Sequence, residues 1–577
     1  AGGCAPWPPP LTALFQQPSK THPEGTPWRP FFIGNLRPAG HNVKDWQGGS
    51  GAGCQRQEAT AAWPAGNRRG GGRSKTMQQL ICQRFCGFYK PERDEAEKCL
   101  AGELLTVWCR LAPDLQTALA LPLTTRGVAS GPEHWGFLEQ QVCGHCVFRR
   151  HGCDFATGEP GARPCGGFLA LAHLLAQGLI TEAALTAIRE DFLQGAYLRL
   201  AEHVSLRFLE TPHLYDRLAD ELYEVDDTGF AWLARCDGSQ LGLAPEADRE
   251  FLDFLLAESL VACLVAPRPR PLSWRRSPLP SLRYLEMLLT ERCNLRCRHC
   301  YLGEGGEQEL PLQMALQTLA EFQSMQGLRV LLSGGEPLLY RHWWELNERL
   351  PEFELRFVLL TNGLLLTDQA IRELQVHEVQ LSLDGLAAGH DLIRGAGTWR
   401  QTVARLEALL AAGMTVSVAT MIHRGNLAEL PRLHTWLQSL GIREWNLDIP
   451  CATGRLDRQD DLWVEPLEGA PYLELGFGGS DHGADGEFAC GRHLAAVLPN
   501  STVAKCGLYG DQPLGRLEEG LETCWLRLPH VRLSELQCAA CPYLHDCRGG
   551  CRFRAGGGTG PDPVMCARYG VDPDSLA

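Results

Sequence analysis

No stretch of the 577 residues offers the roughly 18 uninterrupted apolar residues that a membrane-spanning helix needs, so no membrane partner is expected. Nor does the chain open with a basic stretch leading into an apolar one, the pattern of an export signal. Positive charge is also scarce: 54 Lys and Arg stand against 68 Asp and Glu, a formal net charge of −14. The first 76 residues hold nine Lys/Arg and three Asp/Glu, a local +6, which leaves −20 for the remainder. An acidic body of this kind argues against a nucleic-acid partner. Periodicity of either 2 or 3.6 is missing from residues 1–76, where 13 Gly and 10 Pro give the composition of a disordered tail.

Cysteine, by contrast, is abundant. Twenty-four thiols without an export signal point to metal or redox chemistry in a reducing cytoplasm rather than to disulfides. The length implies several domains. Residues 77–203 alternate cysteine-bearing loops with helical pattern, including FLALAHLLAQGL at 168–179 and a second helix from Ala183 to about Ala201. Residues 204–265 read as a small module of three strands with helices: LRFLETPHLYD, ELYEVD, the helix TGFAWLARCDG and a helix running into a strand. The Pro/Arg-rich stretch 266–280 reads as a linker. Beyond it, apolar runs alternate with amphipathic helices at 311–324, 341–350, 367–374, 400–412 and 427–440. About six strand–helix units predict an α/β fold, a parallel partial (β/α)6 barrel over 281–465, with chemistry at the C-terminal strand ends. Residues 466–577 are Cys-rich with little secondary-structure signal, so metal clusters would replace a hydrophobic core there.

Three thiols, Cys293, Cys297 and Cys300, follow directly on the first barrel strand. Thiolates suit iron–sulfur clusters and zinc alike, and three protein ligands would leave one iron of a cluster open. The following strands end in Ser333-Gly334-Gly335-Glu336-Pro337, Thr361-Asn362-Gly363 and Ser382-Leu383-Asp384-Gly385, with Arg394 shortly after. All these elements fall on the face where the cysteine loop begins. Singly, each also reads as a glycine turn or a surface ion pair.

Together these motifs resemble the radical S-adenosylmethionine (SAM) superfamily over about residues 283–450. The resemblance implies a [4Fe-4S] cluster on Cys293, Cys297 and Cys300, with SAM chelating its open iron and cleaved reductively to a 5′-deoxyadenosyl radical. It further implies that Gly334, Gly335 and Glu336 meet the SAM amino group, that Ser382 binds the ribose or carboxylate, and that Arg394 pairs with the carboxylate. Asp384 and Asn362 are further cofactor-binding candidates, and His299 stands where the family usually carries an aromatic near adenine.

A second pattern, Cys538-x2-Cys541-x5-Cys547-x3-Cys551 followed by Cys566, with Cys490 and Cys506 upstream, resembles the SPASM domain of radical SAM peptide and protein maturases. By that resemblance Cys538, Cys541, Cys547 and Cys566 hold one auxiliary [4Fe-4S] cluster, and Cys490, Cys506 and Cys551 hold another. The usual eighth cysteine before Cys490 is absent, so the inner cluster either keeps an open iron or takes Cys451 or Cys524. A zinc ribbon is the plain alternative, although the x5-x3 extension departs from its spacing. Gly507 stands where sulfatase-type maturases carry an aspartate, which lowers that reading. Residues 204–265 resemble a PqqD-type peptide-recognition domain, which implies a leader peptide added as a strand to a sheet edge; a structural winged-helix-like module is the alternative. Cys143, Cys146, Cys153 and Cys165, with Cys82, Cys86, Cys99 and Cys109 upstream, form either an extra Fe-S or zinc site or a scatter of ordinary thiols.

The expected function is that of a radical SAM peptide maturase acting on a ribosomally synthesised precursor peptide, for instance by cross-linking, with a reductant such as flavodoxin or ferredoxin. The rivals are a radical SAM/SPASM enzyme acting on a small molecule or tetrapyrrole, and a non-catalytic Fe-S or zinc scaffold.

Overall fold

The computed structural model describes residues 132–146, 153, 155, 162, 164–194, 196–241, 249–264, 267–478, 487–490 and 493–573. The 1–76 tail and Cys82, Cys86, Cys99 and Cys109 lie outside the described residues.

Helices α1 (Trp135–Gln141), α2 (Gly166–Ala176) and α3 (Glu182–Gln194) precede strand β1 (Tyr197–Leu200). The helix expected to reach Ala201 therefore stops at Gln194. Tyr197–Leu200 instead pairs on both sides as the central strand of an antiparallel sheet, between β5 (Asp237–Leu241) and β6 (Val261–Leu264). Pairing with partners distant in sequence outweighs the local helical pattern here. The stretch expected as a single strand is a hairpin, β2 (Val204–Phe208) and β3 (Pro212–Asp216), completed by β4 (Glu221–Glu224) into a second antiparallel sheet. Helices α4 (Asp227–Leu233) and α5 (Arg249–Ala257) flank these sheets. Among the described residues the small module thus has six strands rather than three. One apolar core containing Leu138, Phe168, Leu198, Leu206, Phe230 and Leu255 joins it to α1–α3.

Parallel strands β7 (Tyr284–Leu288), β8 (Arg329–Ser333), β9 (Arg356–Thr361), β10 (Glu378–Ser382), β11 (Val416–Met421) and β12 (Glu444–Asp448) lie side by side in chain order. Between them run α6 (Leu312–Ser324), α7 (Trp343–Arg349), α8 (Asp368–Glu373), α9 (Ala387–Arg394), α10 (Thr398–Ala411) and α11 (Leu430–Ser439). In α6 the buried residues Ala315, Leu316, Leu319 and Phe322 recur at helical spacing, which seats one face on the sheet. Alternation along each strand sends Leu285, Met287, Val330, Leu332, Phe357, Leu359, Val379 and Leu381 into the helix-covered core. It sends Glu286, Ser333, Gln380 and Ser382 to the opposite, inner face.

The C-terminal block was expected to carry little secondary structure, yet it extends the same sheet. Strand β13 (Leu494–Val497) pairs parallel with β7, and β14 (Thr502–Ala504) and β15 (Gly515–Arg516) add antiparallel to make nine strands. The run LAAV is apolar and β13 is almost wholly buried, so it satisfies the β7 edge that an open barrel would otherwise expose.

The β2–β4 sheet docks where the barrel strands begin. Arg207 Nε donates to the Gly327 carbonyl (3.2 Å), Arg217 Nη1 to Phe353 O (3.2 Å) and Arg443 Nη2 to Ala219 O (2.7 Å). The fully buried Asp220 faces Arg329 and Arg356, and Arg356 Nη2 also pairs with Glu378 at 2.6 Å. The small module therefore sits at the N-terminal strand ends, opposite the cysteine loop.

Candidate active site and thiolate clusters

The cysteine loop leaves β7 and is tied down at several points. Arg298 N donates to Ile393 O (2.8 Å), the Arg298 guanidinium pairs with Asp461 (2.8 Å), and Asn362 Nδ2 donates to Asn294 Oδ1 (2.8 Å). Arg455 N donates to Cys300 O (3.0 Å) and its Nη1 to Cys297 O (3.3 Å). Cys293 is exposed, Cys300 half-buried and Cys297 buried. Burial, with Glu336, Cys297 and Cys300 nearby, pushes the Cys293 thiol up to about 11.

Gly334 and Gly335 cross the cysteine loop at backbone contact. Gly335 N donates to Thr290 O (2.8 Å) and Glu336 N to Arg292 O (2.8 Å). A Cβ on Gly335 would lie 2.4 Å from Arg292 O, and one on Gly334, whose φ is +137°, would lie 2.6 Å from Thr290 O. Only glycine fits this crossing. Glu336 is buried and accepts from Thr361 Oγ1 (2.7 Å), Asn362 N (3.0 Å) and Leu338 N (3.3 Å). Burial pushes its carboxyl up to about 7 against those donors.

Asp384 and Arg394 form a buried ion pair. Burial would raise Asp384, but Arg394, His299 and His390 hold it well below the usual carboxylate range. The pair aims the guanidinium at the cysteine loop, with Nη1 at 3.9 Å from Cys297 Sγ and Nη2 at 3.5 Å from His299 Nε2. Burial lowers His299 to about 4 and His390 to about 4, so both rings are neutral at pH 7. Ser382 ends β10 on the inner face, half-buried. The sequence-expected residues Cys293, Cys297, Cys300, Glu336, Asn362, Asp384, Arg394 and His299 are thus linked through one network of contacts.

Sequence reasoning missed Glu286 and Tyr301. Glu286 sits on the inner face of β7, accepting from Gly507 N (3.3 Å) and Tyr301 Oη (3.4 Å), and burial raises its carboxyl. The available signal was a lone carboxylate between Leu285 and Met287 in an apolar strand. A Cβ on Gly507 would lie 3.0 Å from Tyr301 Oη and 3.2 Å from Glu286 Oε2, so a larger side chain would crowd this carboxylate. Beside it opens a cavity of about 440 Å³ lined by Leu288, Thr290, Tyr301, Thr453, Gly507 and Phe553.

The remaining thiols gather in sets. Cys538, Cys541, Cys547 and Cys566 line one small cavity with Tyr543 and Tyr569. Cys551 lies against Cys490 and within electrostatic reach of Cys506. Cys143 is surrounded by Cys165, Cys146 and Cys153 beside the α1–α2 core. Among the described residues no three His, Cys, Asp or Glu side chains converge to hold a single metal ion. A four-iron cluster instead takes one protein ligand per iron: Cys293, Cys297 and Cys300 fit such a group by donor type and would leave one iron open, and Cys538, Cys541, Cys547 and Cys566 would fill all four.

Residues 287–437 match the model of the Radical SAM superfamily. The cysteine-loop barrel is therefore a radical SAM domain, of an enzyme family that works with a [4Fe-4S] cluster and SAM. Among curated proteins, the chain is similar to Mycofactocin maturase MftC of Mycobacterium ulcerans (strain Agy99), 28% identical over 322 residues, covering 49% of this chain and 87% of that protein. It is also similar to the AdoMet-dependent heme synthase of Methanosarcina barkeri (strain Fusaro / DSM 804), 32% identical over 188 residues, covering 31% of this chain and 54% of that protein. Among solved structures, Streptococcus suis SuiB bound to precursor peptide SuiA aligns with a TM-score of 0.47 at 13% identity, covering 66% of this chain and 99% of that one. Among the described residues no helix is long and apolar enough to cross a membrane.

Proposed function

We propose that this chain is a radical SAM peptide maturase that modifies a ribosomally synthesised precursor peptide, for instance by cross-linking. The observation that carries this reading is the extent of the maturase similarity: 322 aligned residues and 87% of MftC, against 188 residues and 54% of the heme synthase. The small β module supports it. Among the described residues strand β4 pairs with β3 at the edge of its sheet, the position at which a peptide strand adds.

When bound, the cluster and SAM supply the one-electron chemistry that removes a hydrogen atom from the substrate. The chain's own groups do the rest. Cys293, Cys297 and Cys300 hold the cluster, while the Gly334–Gly335 crossing fixes the loop that carries them. Arg394, held by Asp384, places a positive charge beside Cys297 and strengthens its thiolate form. Gly334, Gly335, Glu336, Asn362, Ser382, Asp384, Arg394 and His299 contribute to SAM binding. Glu286, its carboxyl raised by burial, accepts from Tyr301 Oη and Gly507 N and so fixes two residues that line the cavity. Residues 204–265 serve as the leader-binding domain and 466–577 as the auxiliary-cluster domain, with Cys538, Cys541, Cys547 and Cys566 for the outer cluster and Cys490, Cys506 and Cys551 for the inner one. Cys143, Cys146, Cys153 and Cys165 form a further thiolate set for an iron–sulfur cluster. A flavodoxin or ferredoxin delivers electrons.

The test is to incubate the reconstituted, reduced chain and SAM with short peptides encoded beside its gene and to follow peptide mass. A mass change that requires both SAM and the peptide's leader supports the reading. Conversion of a tetrapyrrole with every peptide unchanged would replace it.

A further inference from the structure

Cys451 lies three residues beyond the end of β12 and was only one of several options for the inner thiolate set. The structure carries it to that set. The Cys451 and Cys490 thiols both lie against the Cys551 sulfur. This meeting is built by the fold around it. Arg554 Nη1 reaches back to Asp448 Oδ1 at 2.6 Å and to Ile449 O at 3.4 Å, while its Nε lies 3.2 Å from Asp562 Oδ2. Asp562 Oδ2 in turn accepts from Cys551 N at 2.7 Å. Arg554 and Asp562 therefore clamp the β12 exit onto the turn that bears Cys551.

The rival thiol, Cys524, is fully buried in the barrel's apolar core and donates to Arg516 O at 3.4 Å. It lies among Gly515, Glu519 and Arg527, away from the Cys551 set. On the other side of Cys451 the chain runs directly to the catalytic loop. A Cβ on Gly454 would lie 2.3 Å from Cys300 O, and Arg455 N donates to that same carbonyl. The segment 451–455 thus spans from the inner thiolate set to the SAM-cluster loop.

We infer that Cys451, supplied by the barrel, is the fourth ligand of the inner auxiliary cluster, completing a four-thiolate site with Cys490, Cys506 and Cys551. The consequence is that no iron of this cluster is open to a substrate thiolate. The inference rests on the auxiliary-cluster reading of the C-terminal block.

The test uses the full chain carrying Cys293→Ala/Cys297→Ala/Cys300→Ala, so that only auxiliary clusters remain, reconstituted anaerobically and reduced. Cyanide, a small ligand for an open iron, is the probe, read by electron paramagnetic resonance. The expected result is a spectrum that cyanide leaves unmoved. Adding Cys451→Ala should then either make the spectrum cyanide-sensitive or lower the content from about eight iron to about four, whereas Cys524→Ala does neither. A background spectrum that shifts with cyanide would overturn the inference without recourse to any Cys451 variant. So would a Cys451→Ala chain with unchanged iron and spectrum. Both results leave the auxiliary clusters standing, whereas a background chain without iron overturns them together with the inference.

Discussion

The crossing of Gly335 over the cysteine loop makes Gly335→Ala a sharp perturbation of the catalytic site. The added Cβ would meet Arg292 O at 2.4 Å, Glu291 O at 2.7 Å and the Arg292 carbonyl carbon at 2.8 Å, all backbone atoms with no rotamer to move. A relaxed carbon–oxygen contact is about 3.3 Å, so the strands of the crossing must separate by nearly that difference. Overpacking of this kind costs about 1–3 kcal/mol. Separation also weakens the Gly335 N to Thr290 O and Glu336 N to Arg292 O hydrogen bonds, each contributing about 1 kcal/mol. The expected total is about 3–5 kcal/mol, and because Cys293 adjoins Arg292, iron bound at the loop should fall by about four atoms per chain. Gly136→Ala, at a helical site with nothing within 4 Å, is the control and should leave stability unchanged or raise it by up to about 1 kcal/mol. Denaturant unfolding and iron analysis read both effects. A Gly335→Ala chain with wild-type iron and midpoint would refute the account of this crossing.

Asp384→Asn leaves the Arg394 guanidinium buried without its counter-charge, and denaturant unfolding should show a loss of about 3–5 kcal/mol; an unchanged midpoint would mean that the pair is not a buried unit. Glu336 is raised from 4.5 to about 7, so the folded chain holds this proton longer than the unfolded one. Its contribution is fully present below about pH 4.5 and is lost as pH rises through about 7, a change of about 3 kcal/mol. Stability of the iron-free chain measured across this range should fall with pH in the wild type and more weakly in Glu336→Gln; parallel slopes would contradict the assignment. The β4 edge and the cavity lie at opposite ends of barrel strands of five or six residues. A bound peptide must therefore bridge about 17–20 Å, or at least about six extended residues. Precursor peptides with the spacer between leader and modified residue shortened below that should bind unchanged but go unmodified, as read by binding and by peptide mass; modification at full rate would place the leader elsewhere.

Much of the catalytic face was legible because its chemistry imposes local spacing. Three thiols on one loop and glycine-bearing strand ends sit within short stretches, and the alternation of apolar strands with amphipathic helices locates them on one face. What escaped depends on contacts between distant segments. Tyr197–Leu200 looks like the end of a helix until its two partner strands are known. The run Leu494–Val497 is too short to predict as an extension of β7. Glu286 and Gly507 are 221 residues apart and meet only through the β7–β13 pairing. The approach of Cys451 to Cys551 follows from the Arg554 clamp, whose two acidic partners, Asp448 and Asp562, come from different parts of the chain.

The central claim is that Cys293, Cys297 and Cys300 support reductive SAM cleavage, and the most direct test is formation of 5′-deoxyadenosine. The reconstituted chain, given dithionite and SAM, should produce it, and Cys293→Ala/Cys297→Ala/Cys300→Ala should abolish it while auxiliary iron remains. Failure of the intact, iron-loaded chain to produce any, or equal production by the variant, would contradict the account.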